Sequence, residues 1–121
     1  MEKILAFHLS DTELRELKRC TGALKMRVEV IAPEDYLQTL SSLAKNRKNA
    51  LTAAYTGELP QESLLVFCDF TEKRMDKLLL SLRKNRLLID YKAVLTPTNS
   101  QWNVLRLLLE LRAERLSFEK Q

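Results

Sequence analysis

The sequence predicts an α/β domain: two similar βαβα halves forming a four-stranded, mainly parallel sheet in the order 2-1-3-4, with helices on both faces. Three observations predict it. Two apolar runs, Ile4 to Leu9 and Leu64 to Phe70, are each followed by residues that cap helices. Two alternating segments, Lys25 to Ile31 and Ile89 to Leu95, are each followed by a proline. The stretches between them carry apolar residues at helical spacing.

In chain order, the run from Ile4 to Leu9 does not alternate, so it reads as a strand covered on both faces. Ser10 or Asp11 then offers an N-cap, and Glu13 completes a capping box with Ser10. Leu14, Leu17, Cys20 and Thr21 share one helical face, and Gly22 marks its end. In Lys25 to Ile31, Arg27 and Glu29 occupy one side, as expected near a sheet edge. Pro33 opens a second helix, Glu34 and Asp35 suit its positive end, and Leu37, Leu40, Leu43 and Ala44 form its stripe.

Residues 46–56 either extend that helix or form a short one of their own; Gly57 and Pro60 then break the chain. The second half repeats the plan. Leu64 to Phe70 is a covered strand, and Thr71 to Arg74 cap a helix with the stripe Met75, Leu78, Leu79 and Leu82. Ile89 to Leu95 alternates, Pro97 interrupts, and Val104, Leu105, Leu108, Leu111 and Arg112 carry a last amphipathic helix. Superposing Phe7 on Phe67 pairs His8 with Cys68 and, after one inserted residue, Leu17 with Leu78 and Val28 with Ile89. The expectation is one domain, 1–121, built by duplication of a half 1–57 and a half 58–121.

Composition narrows the function classes. A hydrophobic share of 45% with 30% charged residues supports a packed core. No stretch approaches the ~18 apolar residues a spanning helix needs, so no membrane partner is expected. Residues 1–13 lack the long apolar core and cleavage site of a secretory leader, which points to a cytoplasmic protein with Cys20 and Cys68 as thiols. Two cysteines and one histidine in no ligand spacing make a metal site unexpected. With Gly22 and Gly57 the only glycines, a dinucleotide fingerprint and a phosphate loop are both excluded, and no cofactor is expected.

The segment Tyr91 to Asn99, followed by Trp102 and an amphipathic helix, together with Leu65 to Cys68, resembles a small bacterial domain family of unknown function. The resemblance rests on a Lys-Ala-x-Leu-Thr-Pro-x-Asn signature at Lys92 to Asn99 and covers about Ser63 to Leu111. It features Pro97 and Asn99 and implies no activity. In the first half, Ile31-Ala32-Pro33-Glu34 keeps only the proline.

Two groups of residues are candidates for binding. In an open parallel sheet, ligands lie beyond the carboxyl ends of the strands, where connections diverge. That rule gathers His8, Ser10, Asp11, Cys68, Asp69 and Thr71, with Thr96, Pro97, Thr98 and Asn99 alongside. A Cys68–His8 pair could generate a thiolate, against ordinary packing of two residues in apolar runs. Asp11 and Asp69 could hold a hydroxyl or a metal, against helix capping. Asn99 reads as a turn former and cap of the last helix, and Trp102 as a core residue.

The charge is mildly basic, 20 Lys and Arg against 16 Asp and Glu. One basic cluster comprises Lys73, Arg74, Lys77, Arg83, Lys84 and Arg86; a second comprises Lys45, Arg47 and Lys48. Both read first as solvated faces. With no catalytic constellation, the leading expectation is a non-catalytic protein-interaction or regulatory binding module, docking a protein partner or self-associating. The alternatives are a small-ligand or weak enzyme domain at the strand ends, and nucleic-acid binding through the basic faces.

Overall fold

The computed structural model describes residues 2–119, apart from the side chain of Glu119. Strand β1 (Lys3–Phe7) is followed by helix α1 (Asp11–Ala23) and strand β2 (Val28–Val30). A 3-10 turn (Pro33–Asp35) and the short helix α2 (Leu40–Ala44) complete the first half. Strand β3 (Leu64–Cys68), helix α3 (Glu72–Lys84), strand β4 (Tyr91–Val94), a 3-10 turn (Asn99–Gln101) and helix α4 (Val104–Glu119) form the second.

The strand order is β2-β1-β3-β4, with the two fully buried runs central and the short alternating strands at the edges. The sheet, however, is mixed. β1 runs parallel to β2, and β3 parallel to β4, but β1 and β3 are antiparallel, with Lys3 opposite Cys68 and Phe7 opposite Leu64. The antiparallel join lies in the centre of the sheet, where the sequence pattern predicts a parallel one.

Helices cover both faces, each over its own core. Ile4, Ala6, Leu65 and Phe67 point to one side and pack with Leu17 and Cys20 of α1 and Leu78 and Leu82 of α3. Leu5, Phe7, Leu64, Val66 and Cys68 point to the other, against Leu40 and Leu43 of α2 and Val104, Leu107 and Leu108 of α4. The period-two alternation of a strand forces this division. It also places Cys20 and Cys68 on opposite sides of the sheet.

Local geometry recurs in the two halves. His8 and Asp69, the residues just after β1 and β3, both take positive φ, 58° and 59°. Ser10 and Thr71 cap α1 and α3 by accepting hydrogen bonds from the N–H groups of Glu13 and Arg74. Lys25 and Arg86 are again left-handed, at 56° and 55°. Thr39 and Asn103 cap α2 and α4 through the N–H groups of Ser42 and Arg106. This alignment matches Phe7 with Cys68 and His8 with Asp69, one position away from the sequence superposition. Val28 matches Lys92 rather than Ile89, because a short insertion precedes β4.

The second helix differs most from expectation. Pro33 opens only a 3-10 turn, and α2 stops at Ala44, where Asn46 adopts φ 54°. Residues 46–56 neither extend α2 nor form a helix. The connection is anchored instead by buried Gln38, which donates to the carbonyl of Asn49 and accepts from its N–H at 3.0 and 2.9 Å. Tyr55 stacks on Tyr36, and Tyr36 packs on Phe7. Among the described residues no helix is long and apolar enough to cross a membrane.

Candidate functional site

The antiparallel join divides the expected site. The C-terminal ends of β1 and β3 lie at opposite ends of the sheet, so His8, Ser10 and Asp11 sit at one end. Cys68, Asp69, Thr71 and the loop Thr96 to Asn99 sit at the other. Lys3 lies opposite Cys68, which leaves His8 about 17 Å of strand away from the thiol. A Cys–His pair is therefore ruled out.

Cys68 is 1% exposed, and burial, with a contribution from Asp69, pushes its thiol up to about 11 from an ordinary 9.0. The thiolate required of a nucleophile is thus suppressed. Two consequences can be measured. Neither Cys68 nor Cys20 should react with Ellman's reagent at neutral pH until denaturant is added. The folded state also favours the protonated thiol. Its contribution is therefore complete below the unfolded value near 9 and is lost as pH rises toward 11. Cys68→Val, which keeps the volume, should flatten that alkaline limb; an unchanged limb would assign it to other groups.

The loop from Thr96 to Asn99 is folded on itself. Thr96, Pro97 and Thr98 are exposed, but Asn99 is buried. Asn99 Oδ1 accepts from the Thr96 N–H at 2.8 Å, Nδ2 donates to the Val94 carbonyl at 3.0 Å, and its own N–H donates to Thr96 Oγ1. The cap of α4 is Asn103, so of the two tasks expected of Asn99 the capping one falls away and the turn-forming one stands: it closes the turn that ends β4. Asp11 lies in the first turn of α1, behind its cap Ser10, with Glu13 Oε1 accepting from the Ser10 N–H to complete the capping box. Trp102 is half-buried against the α2–α4 core and lies beneath the Arg106 guanidinium, 4.5 Å from its ring centroid. Among the described residues no three His, Cys, Asp or Glu side chains gather as a metal site would require.

The structure presents two other surfaces. At the end of the sheet where β1 begins, Lys3, Arg27, Lys45 and Arg47 line a cleft of about 560 Å³, with Asp69 the single acidic side chain on its wall. Sequence reading placed Lys45 and Arg47 on a solvated face and did not connect them with Lys3 and Arg27; only the ordering of the strands brings the four together.

The second surface is on α4, which is apolar on two sides. Val104, Leu107 and Leu108 face the core, while Leu109 and Leu116 are 62% and 56% exposed. With exposed Ala113 they form an outward stripe at helical spacing, bordered by Leu105, which is half-buried against the core. A groove of about 370 Å³ flanks it, lined by Leu59, Pro60, Leu105 and Leu109. The visible signal was the triplet Leu107 to Leu109, which cannot place all three residues on one face.

No curated protein and no solved structure matches the chain. Residues 63–118, which hold β3, α3, β4 and nearly all of α4, match the family model described as DUF3783, a domain of unknown function.

Proposed function

We propose that this chain is a non-catalytic protein-interaction module that docks a second copy of itself through the outer face of α4. The observation that carries this reading is the second apolar stripe, Leu109, Ala113 and Leu116 with Leu105 at its border, on a helix whose other side already fills the core. The fold does not require apolar residues there. At the matching positions of the first half stand Ser41 in place of Leu105 and exposed Lys45 in place of Leu109.

A second copy is the occupant that suits the stripe, because two such helices packed antiparallel bring Leu109 against Leu116 of the other copy. Ala113 then lies near the two-fold axis, where a small side chain allows close approach. The flanking charges Arg106 and Glu110 are 4.0 Å apart on the same helix, so docking brings no isolated charge to the interface. A stripe ~17 Å long covers less than a standard interface, which makes a weak dimer the expected product.

The same reading takes the chain to be a duplicated unit working in a bacterial cytoplasm. Its support is the recurrence of caps and left-handed residues in both halves, together with two cysteines that remain thiols. Sedimentation velocity over a range of micromolar concentrations tests the assembly. The wild type should show a concentration-dependent dimer, and Leu109→Lys with Leu116→Lys should stay monomeric with an unchanged melting temperature. A wild type that remains monomeric throughout would defeat the proposal.

A further inference from the structure

We infer that the cleft lined by Lys3, Arg27, Lys45 and Arg47 is a binding site for a small, multiply charged phosphate compound, such as pyrophosphate or a nucleoside triphosphate. The cations come from three parts of the chain: the start of β1, the approach to β2 and the turn that ends α2. Lys3 is 7% exposed, its ammonium held 3.0 Å from the Leu43 carbonyl and 2.5 Å from Glu29 Oε1, so its charge is largely compensated where it lies. Arg27, Lys45 and Arg47 are exposed around it, against one acid, Asp69. Among the described residues the side chains of Lys45 and Arg47 are in no ion pair.

The fold does not dictate these charges. The positions that match Lys3 and Lys45 in the second half are Leu64 and Leu109. The pocket at the opposite end of the sheet is lined differently. There His8, Ser10, Glu13, Ser63 and Asp90 line a smaller pocket, and both of its carboxylates are engaged, Glu13 with the Ser10 N–H and Asp90 with Ser63. The cleft thus gathers three exposed cations around a single wall carboxylate, while the other basic cluster lies along and beyond α3.

Its volume lies in the range of small-ligand sites. Guanidinium and ammonium groups converging from several sides suit the clustered oxygens of a di- or triphosphate, with Arg47 able to present paired donors. A nucleic-acid strand needs cations spaced along a track, and these four surround a pocket instead. Because the chain lacks a glycine-rich loop, recognition falls to side chains.

The experiment is calorimetric titration of the full chain with inorganic phosphate, pyrophosphate, ATP and a single-stranded RNA oligonucleotide at low salt. Both sides of the comparison use exposed residues, so folding is preserved: Lys45→Ala with Arg47→Ala at the cleft, and Arg83→Ala with Lys84→Ala at the far end of α3. Pyrophosphate and ATP should bind the wild type more tightly than phosphate does. The cleft variant should lose at least tenfold in affinity, and the α3 variant should bind as wild type does. No heat with pyrophosphate or ATP would overturn the assignment. So would equal loss in both variants, or RNA binding that exceeds the rest and falls in the α3 variant, which would mark a diffuse basic surface.

Discussion

Asn99→Ala should destabilise the fold by about 1–3 kcal/mol, and Asn99→Asp should fail to restore it. The alanine removes the bonds to the Thr96 N–H and the Val94 carbonyl, each worth about 0.5–1.5 kcal/mol, because both partners lie in exposed residues where water relieves part of the loss. A helix cap needs only an acceptor, so aspartate would normally serve. Here the amide also donates, through Nδ2, to Val94. A carboxylate would satisfy Thr96 but turn an oxygen toward the Val94 carbonyl. Urea denaturation of the two variants decides the matter. Recovery in Asn99→Asp would mean that the donor side of the amide contributes little.

How far the sequence carries can be judged at particular residues. The Ser10–Glu13 capping box and the Thr71 cap were legible, because both motifs act over three residues. The edge positions of β2 and β4 were legible from alternation, and the central positions of β1 and β3 from its absence. The direction of β3 relative to β1 was not. Side chains alternate with the same period whichever way a strand runs, so apolar pattern says nothing about direction.

The missing clue lay in the connection. α2 ends close to where β1 begins, as the bond from Lys3 to the Leu43 carbonyl shows. A parallel β3 would start there and need almost no linker. The chain instead crosses back along an irregular path, tied down at Asn49 and Tyr55, to start β3 opposite Phe7. A long polar segment without a helix of its own was the visible trace of that return. Once the direction is known, the proposed site changes with it: His8 and Cys68 separate, and Lys3 and Asp69 come to the same end.

Lys3→Leu alone should cost about 1–3 kcal/mol, whereas Lys3→Leu combined with Glu29→Ala should recover most of that loss. The single change removes the ammonium that lies 2.5 Å from Glu29 and 3.0 Å from the Leu43 carbonyl. The carbonyl keeps the backbone N–H of Asn46, so the main casualty is Glu29. Its side chain is 31% exposed, which lets water relieve part of the penalty and holds the estimate below that for a fully buried pair. Removing both charges leaves no orphan. The second half already uses that solution, with Leu64 and Ala93 at the matching positions and both packed on the α2–α4 core. Denaturation midpoints of the wild type, the two single variants and the double variant form a complete cycle. A double variant no more stable than Lys3→Leu would show that the lysine matters for what it does to the end of α2 rather than for its partner on β2.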